Sequence, residues 1–168
     1  MKKTILDTGK MVTLSSLVAL AMILSYIESM IPVFIPIPGV KMGLSNIATV
    51  FTLYILGWPY AICVTLVRVL LSTLLFGNAA ALIYSLFGAA FALTSMILLH
   101  RLKIFSAIGV SVVGALSHNA GQILAVCLVM NNSTLAYYIF PLIISGTIAG
   151  VVIGLAAGIL TERLKKHI

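Results

Sequence analysis

The chain has few side chains able to bind or react, and most of them sit inside long apolar runs. Its three acidic residues are Asp7, Glu28 and Glu162, against ten Lys and Arg. Arg68 falls near the middle of an apolar stretch, where a cation costs ~2.5 to 3.5 kcal/mol on insertion scales and needs a partner or a wet site. Asp7 and Glu162 lie near the two ends, so Glu28 is the carboxylate within reach of it. His118 and Gln122 are spaced i, i+4, and Asn119 lies three residues before Gln122, so helical geometry puts all three near one face. Asn46, Asn78 and Tyr84 complete the candidate set, together with Lys41. Singly, each reads as an interhelical hydrogen bond. Together they read as a binding pocket, neutral to positive, suited to an apolar molecule with a carboxylate or phosphate at one end. A buried network tying the His118 segment to Arg68 and Tyr84 is the alternative.

What is missing limits the chemistry. No Gly-x-x-x-x-Gly-Lys-Ser/Thr motif is present, so no P-loop hydrolyses ATP here. No pair of carboxylates could hold Mg²⁺ on a diphosphate. No Cys/His spacing fits a metal, and no file of membrane carboxylates suggests ion-driven transport. The expectation is a binder, not an enzyme, that uses no cofactor and depends on a motor or catalyst elsewhere.

The positioning elements are membrane helices. Of the 168 residues, 62% are hydrophobic and 8% charged, and the mean hydropathy is +1.24. No soluble domain buries so much apolar surface, whereas a polytopic bundle has lipid as its solvent. Six spans are expected, at about 12–31, 44–56, 59–76, 79–99, 104–129 and 135–160, forming one integral domain over 1–168. With the N-terminus inside, the inner segments hold Lys2, Lys3, Lys10, Arg101, Lys103, Arg163, Lys165 and Lys166, and the outer loops hold Lys41. That asymmetry places both termini in the cytoplasm of a bacterial-type inner or plasma membrane. It also explains the net charge of +7 without nucleic acid. No small-residue cleavage site follows the first apolar run, so that run is expected to be retained and not removed as a signal peptide. Cys63 and Cys127 fall on different spans near opposite ends and are expected to be buried, unbridged small apolar residues.

Between the first two spans, residues 28–46 hold Pro32, Pro36 and Pro38 among Val33, Phe34, Ile35, Ile37, Val40 and Met42. Proline disfavours helix there, and a loop so apolar is expected to lie back over the pocket as an outer lid. Small residues indicate close packing. Gly146, Gly150, Gly154 and Gly158 share one face of span six, Ser117, Gly121 and Ala125 one face of span five, and Ser15 and Ala19 one face of span one.

Four segments carry a family resemblance: Pro38-Gly-Val-Lys-Met-Gly-Leu-Ser-Asn-Ile47, Leu75-Phe-Gly77, Tyr84-Ser-Leu-x-Gly88 and Gly114-Ala-x-x-His-Asn-x-Gly-Gln122. From about residue 12 to 160 the chain resembles the Gx transporter family, also labelled heptaprenyl diphosphate synthase component I. It is similar as well to the substrate-binding S-components of energy-coupling factor transporters. The second resemblance implies six helices, a lid between the first two, and a vitamin- or cofactor-like ligand such as a flavin, quinone or isoprenoid precursor. It also implies that Ser15 and Ala19 dock a membrane coupling subunit driven by two ATPase subunits. The synthase label implies a non-catalytic membrane subunit of a polyprenyl diphosphate synthase, since the chain lacks the Asp-rich motifs of a prenyl transferase.

Overall fold

The structure, a computed structural model, describes residues 8–30 and 43–165, with side chains through Arg163. Most of the expected lid, including Lys41, lies outside the described residues. The described chain forms six α-helices: α1 (Thr8–Met30), α2 (Asn46–Ile55), α3 (Trp58–Phe76), α4 (Ala79–Leu102), α5 (Ala107–Met130) and α6 (Ile139–Lys165). A 3-10 turn, Ser133–Tyr138, leads into α6.

Local chemistry sets the ends. Gly57, at φ +93°, takes a backbone conformation that strains other residues, and Pro59 follows in the first turn of α3, where its missing N–H costs nothing. Asn78 caps α4, its side chain accepting from the Ala81 amide at 2.8 Å. Ser106 caps α5 through the Gly109 amide at 3.3 Å. α4 was expected to stop at 99 but runs through His100 and Arg101, since cations are favourable in a last helical turn.

Five helices are long and apolar enough to cross a membrane. α2 is not, because ten residues rise only about 15 Å, half of the ~30 Å hydrocarbon thickness. α2 touches α1, α3, α5 and α6, while α4, α5 and α6 form the most extensive helix pairs. A cluster of buried apolar side chains draws on all six helices, with Leu17, Leu53, Val64, Met96, Val110 and Ile153 among its members. The outer surface is apolar as well: Leu74 is 81% exposed and Ile104 79%. Cys63 belongs to that surface rather than to the interior, because it shares the exposed stripe of α3 with Leu66 and Leu70. Both cysteines are free.

Glycines set the spacing around α5. A Cβ built on Gly150 would lie 2.6 Å from the Val112 Cα, and one on Gly154 2.5 Å from the Ile108 Cα. On the opposite side, a Cβ on Gly121 would lie 2.7 Å from the Phe87 carbonyl oxygen. These are backbone atoms, so α5 is held against α4 and α6 at a separation that only glycine allows. Gly158 is looser, its nearest neighbour being Ala107 at 3.9 Å.

Candidate ligand-binding core

Helix geometry puts the polar residues at one depth. At one end of the bundle the Tyr54 ring meets His100 edge-on, with centroids 4.7 Å apart, and the Arg101 guanidinium lies 5.4 Å from the centre of the Trp58 ring. From that level Asn46 is about 12 Å along α2, Arg68 about 15 Å along α3 and Gly88 about 18 Å along α4, at 1.5 Å per residue. All three therefore fall in the middle of a ~30 Å apolar layer.

The first group of buried polar residues joins α1, α2 and α3. Glu28, in the last turn of α1, is 4% exposed. Its Oε1 accepts from the backbone amides of Gly43 and Leu44, the latter at 3.3 Å. Its Oε2 accepts from the Ser45 hydroxyl at 3.5 Å. Gly43 has φ +88°, and that conformation turns successive amides toward the carboxylate. Arg68, 5% exposed, donates through Nη1 to the Ser45 hydroxyl and through Nη2 to the Asn46 side-chain oxygen at 3.5 Å. Ser45 thus bridges the cation and the anion. Two donors of this group have no partner among the described residues, Arg68 Nε and Asn46 Nδ2. Nearer the Tyr54–His100 end of the same wall, the hydroxyls of Thr49 and Thr65 pair at 2.9 Å.

The second group lies between α4, α5 and α6. Gln122 is wholly buried, and neither its amide nitrogen nor its oxygen has a partner among the described residues. Gly88 lets α4 close over it: a Cβ there would lie 2.8 Å from Gln122 Cγ and 2.9 Å from His118 Cε1. His118 is 4% exposed and makes interactions of its own. Asn119 turns the other way and donates to the Leu142 carbonyl at 2.8 Å, tying α5 to α6. Tyr84, one turn before Gly88 on α4, is buried in a second apolar cluster with Ile123, Val126 and Leu142.

The remaining candidates are elsewhere. Asn78 is exposed at the start of α4, where its side chain caps the helix. Ser15 and Ala19 are exposed on α1. Two residues that sequence reading did not single out prove central, Ser45 and Gly88. Both stand inside the segments that carry the family resemblance, and that position was the available signal. A groove of about 590 Å³ between α3 and α4 is separate from both polar groups; it is lined by apolar side chains such as Ile62, Leu66, Phe87 and Phe91, with Thr94. Among the described residues no His, Cys, Asp and Glu cluster could hold a metal ion.

An all-helical architecture with a lipid-like exterior and a buried layer of Glu, Arg, Asn, His and Gln defines a polytopic membrane protein with a polar core. Residues 17–160 match the family described as heptaprenyl diphosphate synthase component I, and the chain belongs to that family. No curated protein and no solved structure matches it.

Proposed function

We propose that the protein is a membrane-embedded binding subunit, not catalytic by itself, that holds a small molecule with an apolar body and an anionic end. Arg68 and Asn46 face the anion, Gln122 and His118 meet polar groups of the body, and Tyr84 closes the apolar side. The observation that carries this reading is the set of buried polar atoms left unpaired among the described residues, Arg68 Nε, Asn46 Nδ2 and both amide atoms of Gln122. Each unmet group costs about 1 to 3 kcal/mol, more where charged, and a helix packed only for stability would carry apolar side chains there. Both termini face the cytoplasm, in keeping with the distribution of Lys and Arg.

In this reading the protein acts as an S-component-like subunit of an energy-coupling factor type transporter. Its exposed Ser15 and Ala19 face receives the coupling subunit, and two ATPases supply the energy. The family description favours a second use of the same core, as the non-catalytic membrane component of a heptaprenyl diphosphate synthase. One experiment tests both: gentle extraction of the tagged protein, followed by mass spectrometry of its companion proteins and of the small molecules it retains. ATPase subunits support transport, and a soluble Asp-rich synthase supports the second use. A lone protein that retains no small molecule refutes the binding reading.

A further inference from the structure

The donors around Glu28 are more numerous than one carboxylate needs. Two backbone amides, a hydroxyl, a guanidinium and a side-chain amide converge at the N-terminus of α2, where the helix dipole also favours negative charge. The two unpaired atoms there, Arg68 Nε and Asn46 Nδ2, are donors with no acceptor among the described residues, and both residues are more than nine-tenths buried. Every group in the cluster except Glu28 and the Asn46 carbonyl can therefore donate to an oxyanion.

We infer that this is an oxyanion cradle and that Glu28 is its built-in occupant, standing where the phosphate or carboxylate end of a lipophilic ligand binds. The inference rests on the binding reading above and changes the part Glu28 plays in it: Glu28 competes with the ligand instead of contacting it. An arriving anion takes over the Gly43 and Leu44 amides and the Ser45 hydroxyl, and gains Arg68 Nε and Asn46 Nδ2. The displaced carboxylate leaves with the last turn of α1, so occupancy of the cradle is reported to that helix. Arg68 and Asn46 lie at mid-depth by helical rise, so an anion that reaches them travels on an apolar body and not as a free inorganic ion.

The test has an unusual sign, because removing a buried charged residue at the site should tighten binding. The full chain in an uncharged detergent is titrated calorimetrically with dodecyl phosphate, dodecanoate, inorganic phosphate and, as the uncharged control, dodecanol. If Glu28 fills the cradle in nine molecules of ten, freeing it raises apparent affinity about tenfold. Glu28→Gln is expected to bind dodecyl phosphate or dodecanoate about tenfold tighter than the unaltered protein. Glu28→Asp, which keeps the charge but retracts it by one methylene, should move in the same direction and stands in if the Gln variant does not fold. Equal or weaker binding in both variants overturns the inference, as does inorganic phosphate or dodecanol binding as tightly as the lipophilic anions. Mass spectrometry of molecules retained by the unaltered protein separates the two readings. Retention without a gain in the Glu28 variants sinks the cradle alone, while no retention and no binding of any probe sinks both.

Discussion

Replacing Gln122 by methionine should make the empty protein more stable and the loaded one weaker. The two side chains have nearly the same length and volume, so Cγ keeps its place beneath Gly88, where a Cβ would come within 2.8 Å of it. What changes is polarity. Gln122 is fully buried, and its amide nitrogen and oxygen are both unpaired among the described residues. An unmet buried polar group costs about 1 to 3 kcal/mol, and exchanging it for an apolar group of the same shape recovers that cost. The thioether lacks both a strong donor and a strong acceptor. The expected gain is about 1 to 3 kcal/mol for the side chain, read as a higher unfolding temperature in detergent after the protein has been stripped of small molecules. In the loaded protein the sign reverses, because a ligand group that paired with the amide is left unmet. Affinity should fall about 5- to 150-fold, the range of 1 to 3 kcal/mol. Stability sacrificed at a binding residue is the usual signature of a functional polar group. A variant that unfolds more easily when empty would refute this reasoning, since it would mean that the amide is satisfied and serves packing.

Three further outcomes follow from the geometry. Gly150→Leu should lower stability by about 1 to 3 kcal/mol or abolish folding, because even its Cβ would sit 2.6 Å from the Val112 Cα and α5 and α6 would have to part; a thermal scan unchanged from the parent would refute the close packing. Asn119→Leu should cost about 0.6 kcal/mol, near the mean for interhelical hydrogen bonds in membranes, since it removes the 2.8 Å bond to Leu142; unfolding and ligand titration on the same sample should show stability falling while affinity holds. Single cysteines at Lys41 and Lys103, in a chain lacking Cys63 and Cys127, should react with an impermeant thiol reagent on intact cells at 41 and not at 103, and the reverse pattern would overturn the assigned orientation.

Membrane character was legible because lipid leaves few options: apolar runs of the right length must be helices, and every long helix begins and ends within a few residues of its expected bounds, α6 departing most. α2 was legible as short, expected at 44–56, but its ten helical residues are too few to cross. The glycine face of α6 was plain in the spacing, though not what it faces. Only the fold shows Gly150 and Gly154 on the backbone of α5. Cys63 was misplaced for a related reason, since in this chain apolar character does not tell the lipid side of a helix from its packed side. Glu28, Arg68, Asn46 and Gln122 stood out by being costly where they are. The serine that links two of them did not, because a lone Ser in an apolar helix or turn can donate its hydroxyl to a nearby backbone carbonyl at little cost, as Ser16 does here to the Val12 carbonyl at 2.9 Å.

The sequence reading gave Asn119 and Gln122 one role, and the structure separates them by their partners. The two amides are chemically alike, lie on the same helix and are equally buried. Asn119 has found a carbonyl on α6, so its burial is explained by packing, and its loss should be felt as stability. Gln122 has no partner among the described residues, so their packing does not explain why a carboxamide stands there instead of leucine or methionine. The same reasoning divides the donors at Arg68. Nη1 and Nη2 hold the α2 turn in place through Ser45 and Asn46, while Nε has no partner among the described residues. A residue can thus anchor the fold with some atoms and remain available to a ligand with others. Pairing, atom by atom, is therefore a better guide to the binding surface of this protein than residue type, depth or exposure.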